Sequence, residues 1–136
     1  MKKRKMLLLH PLLAFLLVIL CISCKGGQHE LYFINKSEDV IYVGFNFTKE
    51  FAEADIIYDR RGGQTKIEKG DTCIYTAWPS TWESRFKRGP YMHFHVFPRN
   101  TYDYDSDEEA SANKLMHYQF TQEDLEKMNW TIVYKP

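Results

Sequence analysis

The chain has 136 residues and a formal net charge of zero, 18 Lys and Arg against 18 Asp and Glu. A balance this even, with no basic stripe, argues against nucleic-acid recognition through phosphate contacts, and three cysteines in the whole chain are too few for a disulfide-stapled framework. The length suits one domain with one core, and nine Phe, nine Tyr and three Trp can fill it.

The opening MKKRK carries four positive charges, and Met6 to Ile22 then runs for seventeen residues without a formal charge. This is the pattern of a secretory signal. A spanning helix needs about 17–25 apolar residues; Pro11 early in the run and the small Ser23 at its end favour cleavage over a permanent span. Cys21-Ile22-Ser23-Cys24 closes the run. A redox pair would start a helix beside a βαβ pattern, and a zinc site would need two more ligands at suitable spacing; the sequence offers neither context.

LCISC instead resembles a bacterial lipobox, in which a small residue precedes a cysteine that is diacylated and becomes the new N-terminus. Cys24 follows Ser23 and fits; Cys21 follows the larger Leu20, and itself stands where this signal usually has Leu. The resemblance implies a signal peptide over residues 1–23, lipid attachment (palmitate-type acyl chains) at Cys24, a tether over 24–30 and a single domain over 31–136. The mature chain carries 14 basic and 18 acidic residues, a net −4. At about 0.8 kcal/mol per buried CH₂, several acyl chains hold a protein at a membrane durably. Surface-exported lipoproteins of the Bacteroidetes often place acidic residues directly after the acylated cysteine. Lys25-Gly26-Gly27 lacks them, so the expected location is the outer membrane, on its periplasmic face.

Beyond the tether, Leu31 to Ile34 and Val40 to Phe47 read as strands joined by a polar turn over Asn35 to Asp39. In the second, Ile41, Val43, Phe45 and Phe47 share one face and Tyr42, Gly44 and Asn46 the other. Thr48 to Asp55 suggests a short helix, Ile56 to Tyr58 an edge strand, and Asp59 to Gly63 a turn. Thr65 to Trp78 resembles two extended pieces about a turn at Lys69-Gly70-Asp71, with Cys73 as a small core hydrophobe. Between Pro79 and Pro90, Ser80 or Thr81 suits the cap of one helical turn. Tyr91 to Phe97 is a strand with Met92, Phe94 and Val96 on one face and Tyr91, His93, His95 and Phe97 on a half-exposed other face. Arg99 to Lys114 reads as a mobile, acidic surface loop. Leu115 to Phe120 returns to strand alternation, Thr121 with Asp124 forms a capping-box pattern for a short helix, and Asn129 to Tyr134 closes as a strand. The expected fold is mainly β: an antiparallel β-sandwich, immunoglobulin-like as the first expectation, with one short helix near the C-terminus.

Three groups carry candidate chemistry. His93 and His95 project to one side of a strand, a spacing that metal sites use when a third ligand such as His117 approaches; a histidine-bearing aromatic sheet face is the plainer reading. Asp103, Asp105 and Asp107 have the spacing of a calcium loop, but Glu108 and Lys114 occupy the positions that need Gly and Glu. Trp78, Trp82 and Tyr91 flank a connection that carries Arg85, Lys87 and Arg88, and aromatics beside cations suit stacking on a sugar ring or a peptide. The sequence contains no GxSxG or HExxH motif.

Both ends of the mature chain resemble small lipoproteins of the Bacteroidetes, in which an Asn-x-Ser hairpin pairs with a C-terminal Asn-Trp-Thr-Ile segment. The matching positions are Asn35, Ser37, Ile41 and Tyr42, then Leu125, Met128, Asn129, Trp130, Thr131 and Ile132. The resemblance implies a lipidated envelope protein and supplies no activity. The resulting expectation is a membrane-tethered, non-catalytic binding or scaffold module that needs no cofactor. Its partners would be the membrane through the lipid, with a glycan, a peptide or an envelope protein as further partner. The alternative is a small metal-dependent enzyme or hydrolase accessory using His93 and His95.

Overall fold

A computed structural model of the chain describes residues 29–49 and 63–136. The expected signal, Cys24, the edge strand at 56–58 and nearly all of the helix and turn around it lie outside the described residues. In chain order the elements are β1 (Leu31–Asn35), β2 (Ile41–Thr48), β3 (Thr65–Ile67), β4 (Thr72–Tyr75) and α1 (Trp82–Arg88). There follow β5 (Tyr91–Phe97), a 3₁₀ turn (Thr101–Asp103), α2 (Asp107–Ala112), β6 (Met116–Phe120), α3 (Gln122–Lys127) and β7 (Thr131–Tyr134).

The strands form a β-sandwich: a three-stranded sheet in the order β4-β1-β7 faces a four-stranded sheet in the order β3-β2-β5-β6. All pairings are antiparallel except β1 with β7, which run parallel with Phe33 opposite Ile132. The strand order corrects the immunoglobulin-like expectation. That fold keeps its first, second, fifth and fourth strands in one sheet, whereas here β1 crosses to β2 in the opposite sheet and β3 crosses back to β4.

Alternation drives the core. Phe33 of one sheet meets Phe94 of the other at 5.5 Å between ring centroids, and Tyr75 meets Phe45 at 5.1 Å. Leu31, Phe33, Ile41, Val43, Met92, Phe94 and Val96 are buried, each at a gain of about 1.5–3 kcal/mol over exposure. Cys73 is a free thiol packed against this core. β7 follows its predicted alternation, with Ile132 and Tyr134 inside and Val133 exposed.

Both crossings meet at one buried amide. Asn35 Nδ2 donates to the carbonyls of Asp39 at 2.8 Å, Ile67 at 3.2 Å and Glu68 at 3.1 Å. Its Oδ1 accepts from Ser37 N at 3.0 Å and Ser37 Oγ at 2.6 Å. The backbone of Asn35 bonds to Asp71 and Gly70 in the β3–β4 turn, where Gly70 takes a φ of +79° that a side chain would resist. One side chain thereby fastens the β1–β2 connection to the β3–β4 connection.

Two further expectations are corrected. The acidic stretch after Arg99 is ordered, because its polar residues serve as caps: Asn100 Oδ1 accepts from Tyr102 N, and Ser106 Oγ from Glu109 N. Acids in the first turn of α2 suit the positive end of its dipole, and Tyr104 and Ala110 pack on Phe97 as a second small core. The β5 face expected to be half exposed is buried at His93, His95 and Phe97. Thr81 caps α1 and the Thr121–Asp124 capping box starts α3, both at the positions the sequence suggests, and α2 is a further short helix among the described residues.

Replacing Asn35 by Ala strips partners from several buried groups at about 1–3 kcal/mol each. Asn35→Ala should therefore lower the unfolding free energy by roughly 3 kcal/mol in denaturant titration, and Ser37→Ala by about 1 kcal/mol. An unchanged Asn35→Ala midpoint would mean that the apolar core alone holds the crossings.

Candidate functional site

One end of the sandwich gathers the start of β1, the ends of β2 and β4, the start of β5 and helix α1. The chain enters the domain here. His29 stacks on Trp130 at 5.1 Å, and its carbonyl accepts from the Trp82 indole at 2.6 Å. Trp82 itself is buried and stacks on Trp130 at 6.0 Å, so it supports this end from inside. Trp78 is 73 % exposed. Arg85 joins the two: its guanidinium donates to Ser80 Oγ at 3.1 Å and Ala77 O at 3.2 Å and lies 5.7 Å from the centroid of the Trp82 ring.

Beside Arg85 runs an open groove of about 330 Å³ lined by Phe47, Lys49, Arg85, Arg88 and Gly89. Arg85 and Arg88 share a helix face at i,i+3. Gly89 lets the helix end lie on β2, since a Cβ there would stand 3.0 Å from Phe47 Cβ and 3.0 Å from Thr48 O. Of the aromatic and cationic residues singled out in the sequence, Trp78 and Arg85 present themselves at this end, Trp82 is packed inside, and Tyr91 is half-buried at the edge of β5. Arg88 belongs to the connection that the sequence singles out, whereas Lys49 escaped the sequence reading, because only folding brings the end of β2 beside α1.

Corner residues hold the same end together. Asn129 and Trp130 both have left-handed backbones, with φ of 52° and 55°, which costs about 1–2 kcal/mol per residue. The Trp130 N–H donates to Leu125 O at 2.7 Å, and its ring is clamped between His29 and Trp82.

The second candidate lies on the outer face of the four-stranded sheet. The β5–β6 register sets His95 opposite His117, so the third histidine does join the pair. The rings of His95 and His117 stack at 4.7 Å and 3°, and those of His93 and His117 at 5.2 Å and 15°. His93 Nδ1 and His117 Nε2 share a hydrogen bond of 2.9 Å, and His93 Nε2 bonds Thr48 Oγ1 at 2.8 Å. Burial first, then the neighbouring His117, lowers His93 to about 4 and His95 to about 3; burial and Lys114 lower His117. The cluster is therefore neutral at physiological pH. Among the described residues no group of three or more His, Cys, Asp or Glu is arranged to hold a metal ion. The nitrogens of His93 and His117 are bonded to each other, and the parallel rings do not converge on a point.

No family model, curated protein or solved structure matches the chain. The chemistry of these two surfaces is therefore read from their own geometry.

Histidines of the unfolded chain titrate near 6.5, so folding disfavours protonation of His93 and His95. Their stabilising contribution is full above that value and is lost as pH falls towards about 4 and then about 3. The slope is about 1.4 kcal/mol per pH unit for each histidine. The thermal midpoint should fall between neutral pH and about pH 4.5, and His93→Gln should flatten that fall. Zinc added at neutral pH should leave the midpoint unchanged; a stoichiometric rise would make the trio a metal centre.

Proposed function

We propose that the protein is an envelope lipoprotein, acylated at Cys24 and held at the periplasmic face of the outer membrane. Its sandwich serves there as a non-catalytic binding or scaffold module. The observation that carries the reading is Trp78: a large aromatic, 73 % exposed, follows directly on the Ala77 carbonyl that Arg85 holds, at the end where the chain arrives from the lipobox-like segment. An exposed indole next to a guanidinium suits stacking contacts with a glycan, a peptide or a protein partner. The buried histidines, His93 bonded to His117 and His95 stacked on it, suit packing, and the sequence carries no GxSxG or HExxH motif.

The signal-like N-terminus and Ser23 before Cys24 support the anchor. Among the described residues no helix is long and apolar enough to cross a membrane. Cells fed a labelled fatty acid should incorporate it into the protein and carry it in the membrane fraction, and Cys24→Ala should abolish both signals. Label retained in Cys24→Ala would place the acylation elsewhere and overturn the anchor.

A further inference from the structure

We infer that the tether end of the sandwich docks flat on an anionic phospholipid surface, with Trp78 at headgroup depth and Lys49 and Arg88 against headgroup phosphates. The inference rests on the anchor reading and names the partner of that same face. Four residues separate Cys24 from His29, and even fully extended they span only about 17 Å at the chain's maximum reach per residue. His29 is fixed to Trp82 and Trp130, so this end of the domain cannot leave the neighbourhood of the acylated cysteine.

What lies at that end suits headgroups. Trp is favoured at membrane–water interfaces because its ring is apolar and its N–H polar, and Trp78 is the most exposed of the large hydrophobic residues described. Basic side chains near an anionic surface are attracted within a Debye length, about 10 Å at 0.1 M salt. Lys49 and Arg88 are exposed and line one groove with Arg85. Among the described residues the acids at this end are turned aside or occupied, Glu126 accepting from Gln122. Glu83 sits about 200° around α1 from Arg85 and about 140° from Arg88 by helical geometry. Glu30 accepts from Tyr32, Glu123 pairs with Lys127, and Asp124 is held in the capping box. The opposite end carries the pairs Lys66–Glu68, Lys69–Glu38 and Arg99–Glu109 and, beyond them, Asp39, Asp71 and the remaining acids of α2, an acidic excess that an anionic surface repels. Charge therefore selects the tether end as the face that lies down.

The test uses the full-length lipoprotein, extracted in detergent and reconstituted into phosphatidylethanolamine vesicles with bromine-labelled acyl chains, with and without phosphatidylglycerol. Flotation reads the anchor, and tryptophan quenching reads the docking, because Trp82 is 1 % and Trp130 5 % exposed. Quenching should be roughly twofold or more stronger with phosphatidylglycerol, weaken with salt, and vanish in Trp78→Phe. Lys49→Glu with Arg88→Glu should abolish the phosphatidylglycerol effect without loss of flotation. Protein that floats but is quenched equally on both vesicles, or on neither, overturns the docking and leaves the anchor standing. Trp78 shielded from an aqueous quencher by a soluble glycan, yet untouched by brominated lipid, overturns it in favour of glycan binding. Protein that fails to float overturns anchor and docking together.

Discussion

The Asn35 amide holds the architecture in place. Five hydrogen bonds converge on its side chain, and the groups they satisfy belong to the two connections that cross between sheets. A buried polar side chain is tolerable only when its bonds are made, so the amide favours one relative placement of β1, β2 and the β3–β4 turn. With β1 placed, its start at Leu31 and the preceding His29 fall at the end where β2 and β4 finish and β5 begins. The direction from which the chain enters, and hence which surface an anchor would hold against a membrane, follows from that bond network.

The strained corner at the other terminus serves the same end. Two consecutive left-handed residues without glycine are unfavourable, yet here they turn the chain out of α3 so that the Trp130 ring slots between His29 and Trp82. Aromatic stacking and the Trp130 to Leu125 bond offset the backbone cost. The Asn-x-Ser and Asn-Trp-Thr-Ile patterns that the sequence displays thus have structural work in this fold: one ties the sheets together, the other docks the incoming chain.

Much of this was legible from periodicity. Alternation in Ile41 to Phe47 and in Met92 to Val96 points to the sandwich core, and the Thr121–Asp124 spacing to a capped helix, because both signals are local. The strand order was not, since crossings depend on a side chain reaching residues more than thirty positions away. The acidic stretch misled because charge density suggests solvation, whereas its Asn, Ser and Glu side chains cap turns and its Tyr104 and Ala110 pack beneath. His93 and His95 were legible as a same-face pair and His117 as their neighbour, but not their depth: burial of the outer sheet face is a tertiary property. At the end where the described chain begins, Trp78, Arg85 and Arg88 were visible in sequence, while Lys49 became part of the surface only through folding.

The central claim is that the tether end is the contact face and the acidic end points away. Backbone hydrogen exchange of the full-length protein, compared between detergent and phosphatidylglycerol-containing vesicles, tests it directly. The account predicts slower exchange over residues 76–91 and unchanged exchange over 99–115. Protection of 99–115 with none at 76–91 would contradict it.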